Sequence, residues 1–139
     1  MRIKLSTLSL VFVAIIVALA SFTCNPVSSY EETIDAPVLG FITDFQVPDT
    51  AYQGRIPVKL VGIFGGTSAF HFDRINTVQT DSLIQIGVWG RQVELPNVQY
   101  TPGDVGFDTT LILKSTRTGV HLIELFAANG IFVDTTLVF

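Results

Sequence analysis

The sequence predicts an all-β domain, folded as a sandwich of about seven antiparallel strands. From Leu39 onward, apolar and polar residues alternate with a period of two, which is the spacing of a half-buried strand. Val, Ile, Thr and the aromatic residues make up 49 of the last 116 residues, and these residue types favour strands. Turn residues recur at short intervals, and no window has convincing helical spacing. Short strands separated by such regularly spaced turn residues are typical of a β-sandwich or a β-barrel, and we expect the sandwich.

The candidate strands are each followed by residues that favour turns. Pro48-Asp49-Thr50 follows the first strand, Gly65-Gly66 the second and Thr80-Asp81-Ser82 the third. The longest gap, from Pro96 to Gly106, predicts a crossover between two sheets, and Asn129-Gly130 predicts a tight hairpin before the last strand. The predicted strands are Phe41–Val47, Ile56–Ile63, Ala69–Thr80, Leu83–Val93, Phe107–Lys114, Val120–Ala127 and Ile131–Val138.

Alternation along these strands assigns one face to the core and the other to solvent. The residues predicted to point inward are Val58, Leu60, Phe70, Phe72, Ile84, Ile86, Val88, Leu111, Leu113, His121, Ile123 and Leu125. The opposite face carries the polar residues Lys59, His71, Asp73, Gln85, Asp108 and Glu124. This division is what a sandwich of two one-sided sheets requires.

The first 23 residues have the pattern of a signal peptide. Arg2 and Lys4 precede an uninterrupted apolar run from Leu10 to Ala20, and small residues follow. The run is shorter than the roughly 20 residues that a membrane-spanning helix needs. An uncleaved membrane anchor is the alternative, but these flanks favour export. We therefore expect residues 1–23 to be removed.

The position of Cys24, directly after this segment, predicts a lipid-modified N-terminus. It is the only cysteine of the chain, and a lone thiol is otherwise a liability in an exported protein. Ser21-Phe22-Thr23-Cys24 resembles the lipoprotein signals of Bacteroidetes, although Phe22 and Thr23 depart from the strict small-residue motif. Cleavage after Ala20, giving a soluble secreted protein, is the alternative. Lipidation would tether the protein to a membrane without a spanning segment.

Residues 24–38 are predicted to form a flexible tether, and residues 39–139 the folded domain. The segment is rich in Pro, Ser and acidic residues and lacks periodicity; Asn25 to Pro37 would span at most about 45 Å when extended. Without the signal peptide the chain has 6 basic and 12 acidic residues, a charge of −6. This negative net charge disfavours adsorption to anionic lipid. It also argues against a basic nucleic-acid-binding face, so no nucleic-acid partner is expected.

Several short motifs resemble those of an immunoglobulin-like domain, as found in small Bacteroidetes lipoproteins of unknown function. They are Val47-Pro48-Asp49-Thr50, Gly54, Pro57-Val58-Lys59-Leu60-Val61, the stretch from Gly119 to Leu125, and the Asn129-Gly130 hairpin. The resemblance covers residues 40–139 and implies an immunoglobulin-like β-sandwich without the disulfide between the sheets. It also implies that His121 occupies the place of the tyrosine corner near the start of the sixth strand.

No combination of residues in the sequence indicates catalysis, a metal or a cofactor. His71 and His121 lie on different strands, too few for a metal site, and His71 with Asp73 is expected to be a solvated pair. No nucleophile motif such as G-x-S-x-G is present. We therefore expect a protein that is not an enzyme and that binds no metal or cofactor.

Apolar residues on the nominally outer face predict a contact surface for a protein or glycan partner. They are Val61, Leu83, Trp89, Val120, Leu122 and Phe126. Ordinary surface scatter, or a second sheet packed on them, is the competing interpretation. Clustered exposed aromatics mark interfaces, so the candidate binding residues are Trp89, Leu122 and Phe126.

Four Asp-Ser/Thr triplets resemble the O-glycosylation acceptor of exported Bacteroidetes proteins. The acceptor residues would be Thr50, Ser82, Thr109 and Thr135. Strand edges, which favour Asp and Thr, are the competing and simpler explanation of the triplets.

Taken together, these features predict a non-catalytic lipoprotein of the cell envelope that acts as an accessory or binding module. The lipid would hold it at the outer membrane, facing the periplasm or the cell surface. A purely structural envelope protein is the first alternative, and a secreted hydrolase the second.

Overall fold

The computed structural model describes residues 32–139. Within these residues the chain forms nine β-strands and no helix, so the predicted all-β class is confirmed. The strands are β1 (Ile34–Leu39), β2 (Phe41–Gln46), β3 (Thr50–Ala51), β4 (Arg55–Thr67), β5 (Phe70–Thr80), β6 (Leu83–Glu94), β7 (Pro102–Lys114), β8 (Gly119–Ala127) and β9 (Gly130–Val138).

The strands form a six-stranded and a three-stranded sheet. In the six-stranded sheet, β6 pairs with β5 along one edge. Along its other edge, β6 pairs with β8 through residues 83–87 and with β1 through residues 89–94. Beyond β8 the sheet continues with β9 and then the short β3. In the three-stranded sheet β4 lies between β2 and β7, antiparallel to both. The loop between β6 and β7 passes from one sheet to the other, as the long gap after Pro96 predicted.

The facing sides of the two sheets form one apolar core, so the fold is a β-sandwich. The alternation within β4, β6 and β8 gives each strand a buried row; Val58, Ile86 and Leu125 are fully buried, one in each strand. Burying a side chain of this size stabilises the fold by about 1.5–3 kcal/mol. The core residues that the sequence predicted correctly are Val58, Leu60, Ile84, Ile86, Val88, Leu113, His121, Ile123 and Leu125.

Phe72 lies on the predicted inner face but is not buried in the core, since its side chain is 50% exposed. It pairs with the buried Gly90, and its ring centroid lies 6.1 Å from that of the core residue Phe64. Phe72 therefore covers the edge of the core and does not fill its interior. Phe70 and Leu111 are half-buried and pack against the edge of the core.

The predicted tether extends too far, because β1 occupies Ile34–Leu39. This strand pairs antiparallel with β6, from Ile34 opposite Glu94 to Leu39 opposite Trp89. Asp35 forms an ion pair with Arg91, its neighbour on β6. Backbone pairing and this ion pair, rather than apolar side chains, hold most of β1, so its composition gave no strand signal. Cys24 and the signal peptide lie outside the described residues.

The pairing of β6 with β8 is parallel, from Leu83 opposite Leu122 to Gly87 opposite Phe126. An immunoglobulin sandwich consists of two antiparallel sheets, so this pair differs from the topology that the resemblance implies. Within residues 32–139, β3 also pairs with β9 in a parallel arrangement. The remaining strand pairs are antiparallel.

The hairpin of β8 and β9 forms where Asn129-Gly130 predicted it. Ala127 pairs with Gly130, and Gly130 adopts a φ of 132°, which an L side chain rarely tolerates. The Asn129 amide also donates to the carbonyl of Ile42 at 2.8 Å and accepts from its N–H at 3.0 Å. The turn residue therefore also joins the six-stranded sheet to β2 of the three-stranded sheet.

Candidate functional site: an apolar groove on the six-stranded sheet

A groove of about 350 Å³ lies on the outer face of the six-stranded sheet, above Gly87. Gly87 faces outward on β6, between Asn76 on β5 and Phe126 on β8. Both neighbouring strands carry side chains at this register and Gly87 carries none, so the face is concave here. The residues that line the groove are Leu39, Asn76, Val78, Gln85, Ile86, Gly87, Trp89 and Phe126.

The half-buried indole of Trp89 lies against the sheet on the Gly87 side. A Cβ atom at Gly87 would lie 3.0 Å from Nε1 of Trp89, so the glycine makes room for the ring. The guanidinium of Arg74, opposite Trp89 on β5, lies 5.8 Å from the ring centroid, a cation–π distance. Arg74 is also paired with Asp73. These contacts hold the only tryptophan of the chain at the edge of the groove.

Two side-chain amides supply the polar part of the groove lining. Nε2 of Gln85 donates to a carboxylate oxygen of Glu124 at 2.9 Å, and this bond orients the Gln85 amide. Asn76 is exposed on the opposite wall. Apolar walls with a few oriented polar groups are the usual composition of a small-molecule site.

The structure brings two of the three predicted binding residues together. Trp89 and Phe126 both line the groove, whereas Leu122 lies further along β8, opposite Leu83, on the same outer face. The sequence pattern did not identify Gly87, Asn76 or Gln85 as residues of a binding site. Their contribution depends on cross-strand register, which a period-two pattern does not reveal.

The outer face remains apolar beyond the groove, where β8 and β9 continue the sheet. Val133 is 56% exposed, and it lies opposite Glu124. The other exposed apolar residues of these two strands on this face are Val120, Ile131 and Leu137. No second sheet of the described chain covers this surface, because the three-stranded sheet packs on the opposite face.

The candidate glycosylation residues are scattered over the domain. Thr50 lies in β3, Ser82 in the turn before β6, and Thr135 in β9, and all three are exposed. Thr109, in β7, is half-buried. They form no common surface with the groove lining.

The sequence predicted that His71 and Asp73 form a solvated pair, whereas in the structure Asp73 is bonded to Arg74. His71 is exposed on β5, and the Asp73 carboxylate accepts a hydrogen bond from Arg74. In residues 32–139, no group of three or more His, Cys, Asp or Glu side chains is placed to hold a metal ion.

His121 is buried and hydrogen-bonded at the corner between β7 and β8. Its Nε2 lies 2.7 Å from Oγ of Ser115, and its Nδ1 lies 3.1 Å from the carbonyl oxygen of Gly119. Nδ1 must donate to this carbonyl, so in the neutral ring Nε2 can only accept from the Ser115 hydroxyl, whose single proton also has the carbonyl oxygen of Arg117 within 3.1 Å as a second acceptor. The Ser115 hydroxyl in turn accepts from the N–H of Arg117 at 3.1 Å.

A serine hydroxyl bonded to an oriented imidazole is also the pairing that a nucleophile and its general base need. Here the bond joins the two ends of the seven-residue corner from Ser115 to His121, and Ser115 is also fixed by the bond of its N–H to the Gly54 carbonyl at 2.7 Å. We therefore interpret the pair as the corner that His121 was predicted to form. No sequence pattern indicated a role for Ser115.

Comparison of the chain with protein-family models, curated proteins and solved structures found no match. The part of the chain from residue 32 onward contains no helix of the length and apolar character that crossing a membrane demands.

Proposed function

We propose that this protein is a non-catalytic binding module of the cell envelope, and that its ligand occupies the groove above Gly87. The observation that carries the proposal is the concave, uncharged lining formed by Trp89, Phe126 and two amide side chains. A β-sandwich supports many functions, so the proposal depends on this site and not on the fold.

The lining favours an uncharged ligand that has both an apolar face and hydrogen-bonding groups. The charged groups next to the groove are already engaged, Arg74 with Asp73 and Glu124 with Gln85. An aromatic ring attracts the weakly positive C–H edge of a ligand, and the amides of Asn76 and Gln85 offer donors and acceptors. A neutral glycan has this chemistry, so we propose a glycan ligand.

Lipidation of Cys24 remains part of this proposal. Its support is the sequence of the signal segment and the presence of a single cysteine. The lipid would attach the domain to the outer membrane, with the groove facing the periplasm or the cell surface.

The immunoglobulin-like assignment is also a proposal. Its support is the distribution of the seven longest strands after β1, with β2, β4 and β7 in one sheet and β5, β6, β8 and β9 in the other, together with a hydrogen-bonded corner at His121. The parallel β6–β8 pair is the feature in which the chain would differ from that family.

Trp89 provides a direct test of the proposed ligand, because its fluorescence is the only tryptophan signal of the chain. The purified protein is titrated with neutral oligosaccharides of several backbone linkages, and the Trp89 emission is recorded. Binding in the groove should shift or quench the emission in a saturable manner. Leu122→Ala, on the same face but outside the groove, should leave the titration unchanged, whereas Phe126→Ala should weaken it.

Saturable binding, measured by calorimetry, that leaves the Trp89 emission unchanged would place the ligand elsewhere and contradict the groove. A complete absence of binding by every oligosaccharide would contradict the glycan assignment.

A structural envelope role is the second candidate, and the exposed apolar surface of β8 and β9 favours it. Large apolar patches on a folded domain usually mark contacts with other proteins. Val133→Lys would then disrupt a stable assembly seen by size-exclusion chromatography with light scattering, and it would leave glycan binding unaffected.

We also propose O-glycosylation at the exposed Thr50, Ser82 and Thr135, and at Thr109. Intact-mass measurement of the native protein tests this directly. A mass equal to the polypeptide plus the lipid would remove the proposal.

A further inference from the structure

The chain enters the sandwich at one end, and that end carries exposed apolar side chains. β1 begins at Ile34, opposite Glu94 at the close of β6. The β6–β7 loop starts at Leu95, and the β4–β5 turn lies beside it because Ser68 and Thr101 exchange two hydrogen bonds of 2.9 Å. We call this end, formed by the start of β1, the β6–β7 loop and the β4–β5 turn, the entry end.

The β6–β7 loop presents its apolar residues in a fixed turn. The N–H of Leu95 donates to the hydroxyl of Tyr100 at 2.7 Å, and Asn97 has a φ of 63° in the left-handed region. Leu95 is 50% exposed and Val98 is 47% exposed. Because the loop is held by its own hydrogen bonds and by Ser68, this exposure is built into the fold.

The length of chain between Cys24 and β1 limits which part of the domain can approach a membrane. Nine residues lie between Cys24 and Ile34, so the ten steps of the chain from one to the other span at most about 36 Å when fully extended. β6 has 12 residues and is about 40 Å long. If the opposite end of the sandwich faced the membrane, Ile34 would lie about one strand length away, a distance that the segment could span only if it were fully extended.

We propose that the entry end contacts the lipid surface, with Leu95 and Val98 inserted at the level of the headgroups. This inference rests on the proposed lipidation of Cys24, and it adds an orientation to it. Apolar side chains next to a covalent lipid add to membrane binding, because they increase the apolar area that is buried at the interface. Tyr100 has the amphipathic character that suits the membrane–water interface.

The charged residues at the entry end favour contact with a membrane surface that has no net charge. Glu32 and Asp104 are exposed near it, and Arg91 is paired with Asp35. No basic cluster is therefore available in the described residues of this end to attract anionic headgroups, and the contact depends on apolar side chains.

The experiment uses the lipidated full-length protein, because lipidation of Cys24 removes its only native thiol. Val98→Cys, Thr118→Cys and Val133→Cys are made singly and labelled with an environment-sensitive fluorophore. They report on the entry end, the opposite end and the groove-side face of the sandwich. Each protein is placed in vesicles of phosphatidylcholine and phosphatidylethanolamine containing some nitroxide-labelled phosphatidylcholine.

The label at position 98 should be blue-shifted, and its quenching should exceed that at position 118 by about twofold or more, because interfacial apolar groups insert about 5–10 Å. Quenching at position 98 that is equal to or weaker than that at 118 or 133 would overturn the inference. The number of dyes bound per chain distinguishes a wrong orientation from the absence of the lipid anchor. One dye per chain shows that Cys24 is blocked, whereas two dyes per chain overturn the lipid anchor and this orientation together.

Discussion

Nε2 of His121 lies 2.7 Å from Oγ of Ser115, inside the corner through which the chain passes from β7 to β8. Both residues are buried, and the second ring nitrogen of His121 is bonded to the carbonyl of Gly119. One histidine therefore closes the seven-residue corner from Ser115 to His121, with both of its ring nitrogens hydrogen-bonded. The network predicts how the domain responds to the loss of a single hydroxyl group.

Ser115→Ala should destabilise the domain by about 1–3 kcal/mol, because it leaves Nε2 of His121 buried without a partner and removes the acceptor for the Arg117 N–H. Urea denaturation measures the change. Thr118→Ala, an exposed position of the same turn, is the matched control and should change stability by less than about 0.5 kcal/mol. An equal effect of both variants would mean that the hydroxyl bond does not stabilise the corner.

The sequence predicted the strands whose side chains form the core and missed those held by the backbone. β4, β6 and β8 alternate because one row of each is buried, and their positions were predicted within a few residues. β1 is paired through its backbone and the Asp35–Arg91 ion pair, and β3 has only two residues, so neither produces a periodic pattern.

The site was predicted in part for a similar reason. Trp89 and Phe126 are conspicuous in the sequence as large apolar residues on an outer face. Gly87 acquires its role only because β6 pairs parallel with β8 and places it beside Phe126. A parallel neighbour in a mostly antiparallel sheet depends on long-range packing, which local alternation does not encode.

Gly87→Val should abolish ligand binding in the groove and leave the fold intact. The new side chain would occupy the concave surface, and its Cβ would displace only the indole of Trp89. Valine favours strands more than glycine, but its side chain must displace the indole, so the two effects oppose each other and the stability should change by less than about 1 kcal/mol. The measurements are the Trp89 emission titration and thermal unfolding. Unchanged oligosaccharide affinity in a folded Gly87→Val protein would show that the groove is not the binding site.

Thr136→Val should stabilise the domain. Oγ1 of Thr136 is buried beside His121 and has no hydrogen-bond partner in the described part of the chain. Replacing the hydroxyl by a methyl group of similar size removes a desolvation penalty of about 1–3 kcal/mol. Chemical denaturation measures the gain, and Thr135→Val, exposed on the adjacent position, is the control. A loss of stability in Thr136→Val would indicate that the hydroxyl has a partner such as a buried water.

The ion pair of β1 with β6 should appear in the titration of Asp35. The hydrogen bond from Arg91 holds the pKa of the Asp35 carboxyl below its usual 3.8. Since the folded-state pKa is lowered, the stabilisation from the pair is fully present above about pH 3.8 and is lost as the pH falls through the folded-state pKa.

Carboxyl NMR titration measures this pKa in the native protein and in Arg91→Gln, where it should return towards 3.8. Both groups are exposed, so high salt should reduce the difference between the two proteins. Equal pKa values in the two proteins at low salt would show that Arg91 does not perturb the carboxyl.

Gly90→Ala should be among the most destabilising single substitutions in β6, although it adds only one methyl group. Gly90 is buried in the centre of the sandwich, where a Cβ would lie 2.5 Å from the Phe64 ring and 2.8 Å from the carbonyl oxygen of His71. The ring could rotate, but the carbonyl belongs to the paired strand β5 and cannot move without breaking its register. Overpacking of this kind costs about 1–3 kcal/mol or more.

Gly66→Ala is the matched control for this prediction. A Cβ at Gly66 would meet only an oxygen of Asp104, at 3.9 Å, and the backbone there is not left-handed. Its stability should therefore be unchanged or slightly higher, because alanine loses less conformational entropy on folding than glycine. Urea denaturation of both variants makes the comparison. If Gly90→Ala were as stable as Gly66→Ala, β5 could not lie as close to Gly90 as the sandwich places it, and the pairing of β5 with β6 would need revision.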